Sequence, residues 1–367
     1  MKRIATLLFL AFVMTVTSCK HSKDVIVIGG ALSLTGDNSL QGNKGFNGMM
    51  LAVDLANEAG GINGKKIKFV AEDTQTSAKG AINAMTKLAR VNKVAGAIST
   101  GDIEFQAIND ITKKEKIVTL ATICSGMLES NRSPYLFRYC FNEKIQDAVL
   151  MKFVKEGMNE DEVALLYPNN LWGKEIEQYN EEGAKDAGVS IRIKETYDPS
   201  SLDQKAVATK LLNQNPKIIC ARGFGSGFEA VLRYLSELGF NGTIIGDITI
   251  SLPGTINNTK GIAEGAYFVS VDLKPAGDEY TDKYKALYSE RFKEESSVWD
   301  ALGFDTCRYL IEALRTADKE KISLEDAMFK THNIELLLGE NRFEGSNDVQ
   351  FEMSVFEVVD GSFVVVR

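Results

Sequence analysis

The chain has 367 residues, 44% of them hydrophobic, and 42 basic against 50 acidic side chains give a formal net charge of -8. That length exceeds one typical domain and suffices for two sizeable cores, while the acidic balance and the lack of any basic block argue against a nucleic-acid partner. With only two histidines, His21 and His332, a histidine triad or multi-histidine metal centre has almost nothing to build on.

In chain order, Lys2-Arg3 form a basic start, and Ile4 to Val16 an apolar core too short for the ~20 residues of a bilayer span. Residues 1–18 therefore read as a cleaved signal peptide. Val16-Thr17-Ser18-Cys19 resembles the lipobox of bacterial lipoproteins, which implies that Cys19 becomes the first mature residue and carries the lipid. An ordinary signal peptide with an incidental Cys19 is the other reading. Residues 19–23 would then be a short tether, in which His21 is a poor candidate for a metal ligand.

Val25-Ile26-Val27-Ile28 is apolar on both faces, as a buried parallel strand should be. Phe46, Met49, Met50 and Val53 recur at helical spacing, so one face of the following helix can pack on that sheet. Gly60-Gly61 supplies left-handed backbone to end the helix, and Lys66 to Glu72 is the next strand. The succession Leu34-Thr35-Gly36, Leu51-Ala52-Val53-Asp54, Gly60-Gly61-Ile62-Asn63-Gly64 and Lys66 to Asp73 resembles the opening of the type I periplasmic solute-binding proteins, the branched-chain amino-acid binding family.

Further strands are expected at Val94 to Ser99, Ile117 to Thr122, Val163 to Tyr167, Ile191 to Tyr197, Lys217 to Ala221 and Thr243 to Asp247, with helical patterns between them. Repeated strand-helix units imply parallel sheets covered by helices on both faces. Near Lys144 the alternation begins again, Asp278 to Thr331 is mainly helical, and Gln350 to Val366 is strand-like with Asp360-Gly361 as a hairpin turn. The expected fold is α/β, with two Rossmann-like lobes joined by a hinge. The resemblance implies three crossings, placed after Cys140 and near Val271 and Arg342. The N-terminal lobe is then 24–141 plus 272–341, and the C-terminal lobe 142–271 plus 342–367.

In open parallel sheets, ligands sit outside the carboxyl ends of strands. The loops there are Ser99-Thr100-Gly101-Asp102, the stretch from Ala121 through Cys124 and Ser125 to Gly126, Asn169 to Gly173, Arg222-Gly223-Phe224 and Gly246-Asp247. The family grips an α-carboxylate from the first two loops, which the resemblance maps onto Thr100 and Ser125, with Ser99 and Cys124 beside them. The helix after Asp102 would aim its positive end at the same anion. By the same resemblance, Trp172 and Phe224 place rings over the ligand, Asp247 meets its ammonium, and Trp299 reaches the rim. Each has a plainer reading: Thr100 or Asp102 as a helix cap, Trp172 and Phe224 as core, Asp247 as a cap or local partner. Asp305 is read as structural.

Asp102 puts a carboxylate where uncharged residues are more usual, so it either caps its helix or the ligand is more cationic than leucine. Arg222 either grasps a second acidic group or pairs with Asp247. Cys220 and Cys307 read as buried thiols, whereas Cys124 and Cys140 are open between free thiols and a disulfide. Gly223-Phe224-Gly225-Ser226-Gly227 matches neither a nucleophile elbow nor a dinucleotide loop, and no phosphate loop is present.

The resemblance implies a monomeric, lipid-anchored extracytoplasmic binder, without cofactor or metal and not an enzyme. It would deliver a small polar solute, an amino acid first, to the permease of an ABC importer. Amides, urea or organic acids are the alternative ligands, and a sensory module the alternative role.

Overall fold

The computed structural model describes residues 25–124, 131–271, 278–339, 342–349 and 351–366. The signal peptide, Cys19 and Ser125 lie outside them. Two sheets organise the chain. The first contains β1 (Val25–Leu32), β2 (Lys66–Asp73), β3 (Gly96–Thr100), β4 (Thr119–Thr122) and β5 (Leu136–Arg138), all parallel, in the order β2-β1-β3-β4-β5. The second contains β6 (Glu162–Pro168), β7 (Ser190–Tyr197), β8 (Ile218–Ala221), β9 (Thr243–Asp247), β10 (Tyr267–Val271), β11 (Met353–Val359) and β12 (Ser362–Val365). Its order is β12-β11-β10-β9-β8-β6-β7, with β11 and β12 antiparallel and the remainder parallel.

The central strands are buried along most of their length because helices cover both faces; β3, β4 and β8 are buried throughout. Asp360 and Gly361 both have positive φ, 52° and 70°, so the turn read from sequence joins β11 to β12 as a tight hairpin.

In each sheet the chain reverses its direction of growth once. In the first, β1 lies between β2 and β3; in the second, β6 lies between β7 and β8. Those are the switch points at which adjacent loops diverge and leave a crevice. Ser33 and Thr100 follow β1 and end β3, while Trp172 and Arg222 come just after β6 and β8. The topology therefore puts these four residues at strand ends beside the two switch points.

The helix Val298–Glu320 returns to the first core and crosses the helix Ser39–Glu58 at very close range. The approach requires glycine: a Cβ at Gly48 would run into the Asp300 carbonyl, and one at Gly303 into the Gly45 backbone. Asp305 on the same helix accepts the backbone N–H groups of Leu337 and Leu338, both at 2.9 Å, which is the structural role expected of it.

One expected boundary differs. Phe343, Val349 and Phe351 pack in the first core, Phe343 against Phe137 and Tyr309 and Phe351 against Tyr139. Arg138 also exchanges backbone hydrogen bonds with Asn347 and Val349 on the edge of β5. The last passage to the second sheet thus comes between Phe351 and Met353 rather than at Arg342. These aromatic contacts hold an irregular segment that has no periodicity to read.

Candidate functional site

On the first lobe, Thr100 ends β3 and is fully buried. Its Oγ1 accepts from the Ser33 N–H at 2.8 Å and stands 3.3 Å from Ser33 Oγ. Ser33 Oγ and Thr74 Oγ1 each donate to Glu104 Oε1 at 2.6 Å, so a fully buried carboxylate sits directly behind the Thr100 loop. Gly101, at φ +93°, leaves room for it, since a Cβ there would meet Glu104 Oε2. Sequence reading missed Ser33 and Glu104; the signal was their place, one at the carboxyl end of β1 and the other one turn into the next helix.

Asp102 is the first residue of the helix Asp102–Ala107 and not its cap, which is Gly101 with no side-chain hydrogen bond. That helix has six residues, with Asp102 and Glu104 in its first turn. Two carboxylates offset the positive end that was expected to face a ligand anion. Ser99 Oγ and Thr122 Oγ1, at the ends of β3 and β4, are buried hydroxyls with no partner among the described residues.

Cys124 and Cys140 are buried free thiols. Burial pushes Cys140 up to about 12 and Cys124 well above the ordinary thiol range, so neither is a nucleophile at neutral pH. Cys220 and Cys307 are likewise buried and free. Trp299 is 8% exposed, its ring 6.0 Å from that of Phe141 and its Nε1 unpartnered among the described residues.

On the second lobe, Arg222 is fully buried and ion-paired to three carboxylates: Glu143, Asp147 and Asp247, the last with Nε to Oδ2 at 2.9 Å. Burial disfavours its charge, but Glu143 and Asp247 outweigh that and hold its pKa above the ordinary value. Asp247 Oδ1 also accepts from the Thr249 N–H and hydroxyl, and Asp147 Oδ2 from Asn180 Nδ2 at 2.9 Å. The Arg222–Asp247 pairing weighed from sequence is therefore present, within a larger cluster.

Glu143 and Asp147 lie four apart on the buried face of the helix Glu143–Glu156, with Gln146 between them. Helical spacing carried that signal, but nothing in the sequence ties the helix to an arginine 75 or more residues away.

Trp172 and Phe224 are half-buried and touch, with ring centroids 5.5 Å apart. Asn170 caps the helix Leu171–Ala187 by accepting from the Gly173 N–H at 2.9 Å, which fixes Trp172 at the helix start. One turn later comes Glu175, also half-buried. Burial and the neighbouring Glu143 raise its pKa above the usual carboxylate value. Among the described residues no cluster of histidine, cysteine and carboxylate groups could hold a metal ion.

Two α/β units, each with a switch point in its largely parallel sheet, form the architecture of a two-lobe binding protein. The family model described as periplasmic binding protein matches residues 25–362, and the chain belongs to that family. Its members are extracytoplasmic solute-binding proteins and not enzymes. The leucine-, isoleucine-, valine-, threonine-, and alanine-binding protein of Pseudomonas aeruginosa is 22% identical over 352 residues, 93% of this chain and 91% of the relative. The branched-chain amino acid transporter substrate binding protein LivJ of Streptococcus pneumoniae, solved with isoleucine, superposes with a TM-score of 0.83 at 22% identity, covering 93% of this chain and 99% of the other. A solute binding protein of an ABC transporter from R. palustris, solved with benzoate, superposes with a TM-score of 0.82 at 15% identity, covering 93% and 95%. The type I architecture expected from the opening motif is thus the one found.

Proposed function

We propose that this protein captures an amino acid between its two lobes and delivers it to the permease of an ABC importer. The observation that carries the reading is the pairing of crevices: Ser99, Thr100 and Cys124 at the strand ends of one lobe, and Trp172, Phe224, Arg222 and Asp247 at those of the other. Ser125 belongs to the same site by sequence. Relatives and structural neighbours named for branched-chain amino acids support that solute class. The hydroxyl side would hold an α-carboxylate, and the acidic second lobe an ammonium. A dicarboxylate is disfavoured, because Arg222 is already committed to three carboxylates.

The test is a thermal-shift screen of the purified mature chain with amino acids and organic acids. A true ligand at about 100 times its dissociation constant stabilises by ~2.7 kcal/mol. No shift with any amino acid refutes the reading.

The lipobox at Val16 to Cys19 supports attachment of the monomer to the outer face of a membrane through Cys19. Cys19→Ala should abolish lipid labelling and release the protein in soluble form; unchanged membrane retention would remove the anchor from the proposal.

A further inference from the structure

The second lobe gathers carboxylates at its strand ends. Arg222 is ion-paired to Glu143, Asp147 and Asp247. Glu175 adds a fourth carboxylate near Glu143 and has no cation within ion-pairing distance among the described residues. A half-buried carboxylate beside Glu143 is unfavourable when charged unless a cation meets it.

Three independent features make this more than an acidic patch. Gln146 is 2% exposed and lies on the buried helix face between Glu143 and Asp147, yet neither its Nε2 nor its Oε1 has a partner among the described residues. A buried amide with both ends unsatisfied is costly, and it offers a donor and an acceptor to a polar solute. Trp172 stands three residues before Glu175, hence on the same helix face, with Phe224 against it. An aromatic pair beside a carboxylate suits an alkylammonium, whose methylenes lie on the rings while its charge meets both the ring faces and the carboxylate. On the first lobe, Asp102 adds a carboxylate at the start of the helix that follows the Thr100 loop.

We infer that the solute carries net positive charge, as in a basic amino acid or an aliphatic diamine, and that Glu175 with Trp172, Phe224 and Glu143 forms the seat of its alkylammonium. This rests on the amino-acid reading above for the location of the site and narrows its ligand. Glu175 is accordingly a specificity-determining residue. Its charge is held at a cost to the unliganded fold, as expected of a group placed for a partner.

The experiment is calorimetric titration of L-lysine, putrescine, L-leucine and L-glutamate into the wild-type chain, Glu175→Gln and Glu182→Gln. Glu182 is on the same helix but pairs with the exposed Lys144, so its replacement is the control. Lysine or putrescine should bind the wild type and the control alike, and lose about tenfold or more in affinity with Glu175→Gln, equivalent to ~1.4 kcal/mol. Melting curves of the unliganded variants show whether the fold is intact, and Glu175→Gln should melt no lower than wild type. Leucine binding without lysine or putrescine binding, or cation binding undiminished in Glu175→Gln, overturns this inference and leaves the amino-acid reading standing. Binding of none of the four overturns this inference, while the amino-acid reading stands or falls with the full thermal-shift screen. Lysine without putrescine binding assigns the α-carboxylate a share of the grip and supports the inference for a basic amino acid.

Discussion

At the scale of single residues, Arg222 changes meaning most between sequence and structure. From sequence it is a cleft-side guanidinium that either grasps a second acidic group of the ligand or pairs with Asp247. In the folded chain it is ion-paired to three buried carboxylates. Removing one member of a buried ion pair leaves uncompensated charge and costs ~3–5 kcal/mol. Arg222→Ala should therefore lose at least about that much in urea denaturation, before any ligand is added; a variant as stable as wild type would show that the cluster is not ionised. Glu175 gives the opposite sign. Its folded pKa lies above its ordinary 4.5, through burial and Glu143, so folding takes up protons there. The contribution of Glu175 to stability is favoured below about pH 4.5 and declines as pH rises through the carboxylate range. The stability difference between Glu175→Gln and wild type should accordingly grow in favour of the variant from acid to neutral pH, which paired melting curves at a series of pH values can read. Neither behaviour was legible in sequence, because helix Glu143–Glu156 and strands β8 and β9 meet only in the fold.

At the scale of elements, alternation and apolar periodicity were enough to find most strands and the switch from the first sheet to the second near Lys144. Periodic segments announce themselves since their apolar face must be covered. What stayed hidden was the segment from Leu336 to Phe351, held by aromatic contacts and by side-chain hydrogen bonds from distant helices. Asp305 is the clearest such anchor, since both carboxylate oxygens accept backbone N–H groups that are otherwise buried. Asp305→Ala should leave two unsatisfied donors, each worth ~1–3 kcal/mol. We expect a loss of ~2–5 kcal/mol by denaturation and faster amide exchange localised to Leu337 and Leu338. Wild-type exchange at those two amides would show that they find other acceptors and that Asp305 is dispensable.

At the scale of the whole molecule, the chain passes between the two sheets at Arg138 to Asn142, after Val271 and between Phe351 and Met353. Three strands of connection permit a hinge bend but resist twist or separation, because each passage constrains a different point of the boundary. In the proposed site the binding chemistry is divided between the lobes: hydroxyls with Asp102 on one, the rings and carboxylates on the other. A solute that satisfies both halves gains its full contact energy only when they approach, so it shifts the population toward a closed form by its differential affinity for that form. In its absence, the carboxylates that this arrangement puts on both lobes would oppose approach, a repulsion screened over ~10 Å at 0.1 M salt. Small-angle scattering of the mature chain should therefore show a smaller radius of gyration with saturating ligand than without it. Added salt should loosen ligand binding while drawing the unliganded form toward the closed dimensions. A radius of gyration unchanged by a ligand that demonstrably binds would mean that one lobe alone holds the solute, and the two-jaw mechanism would fail with it.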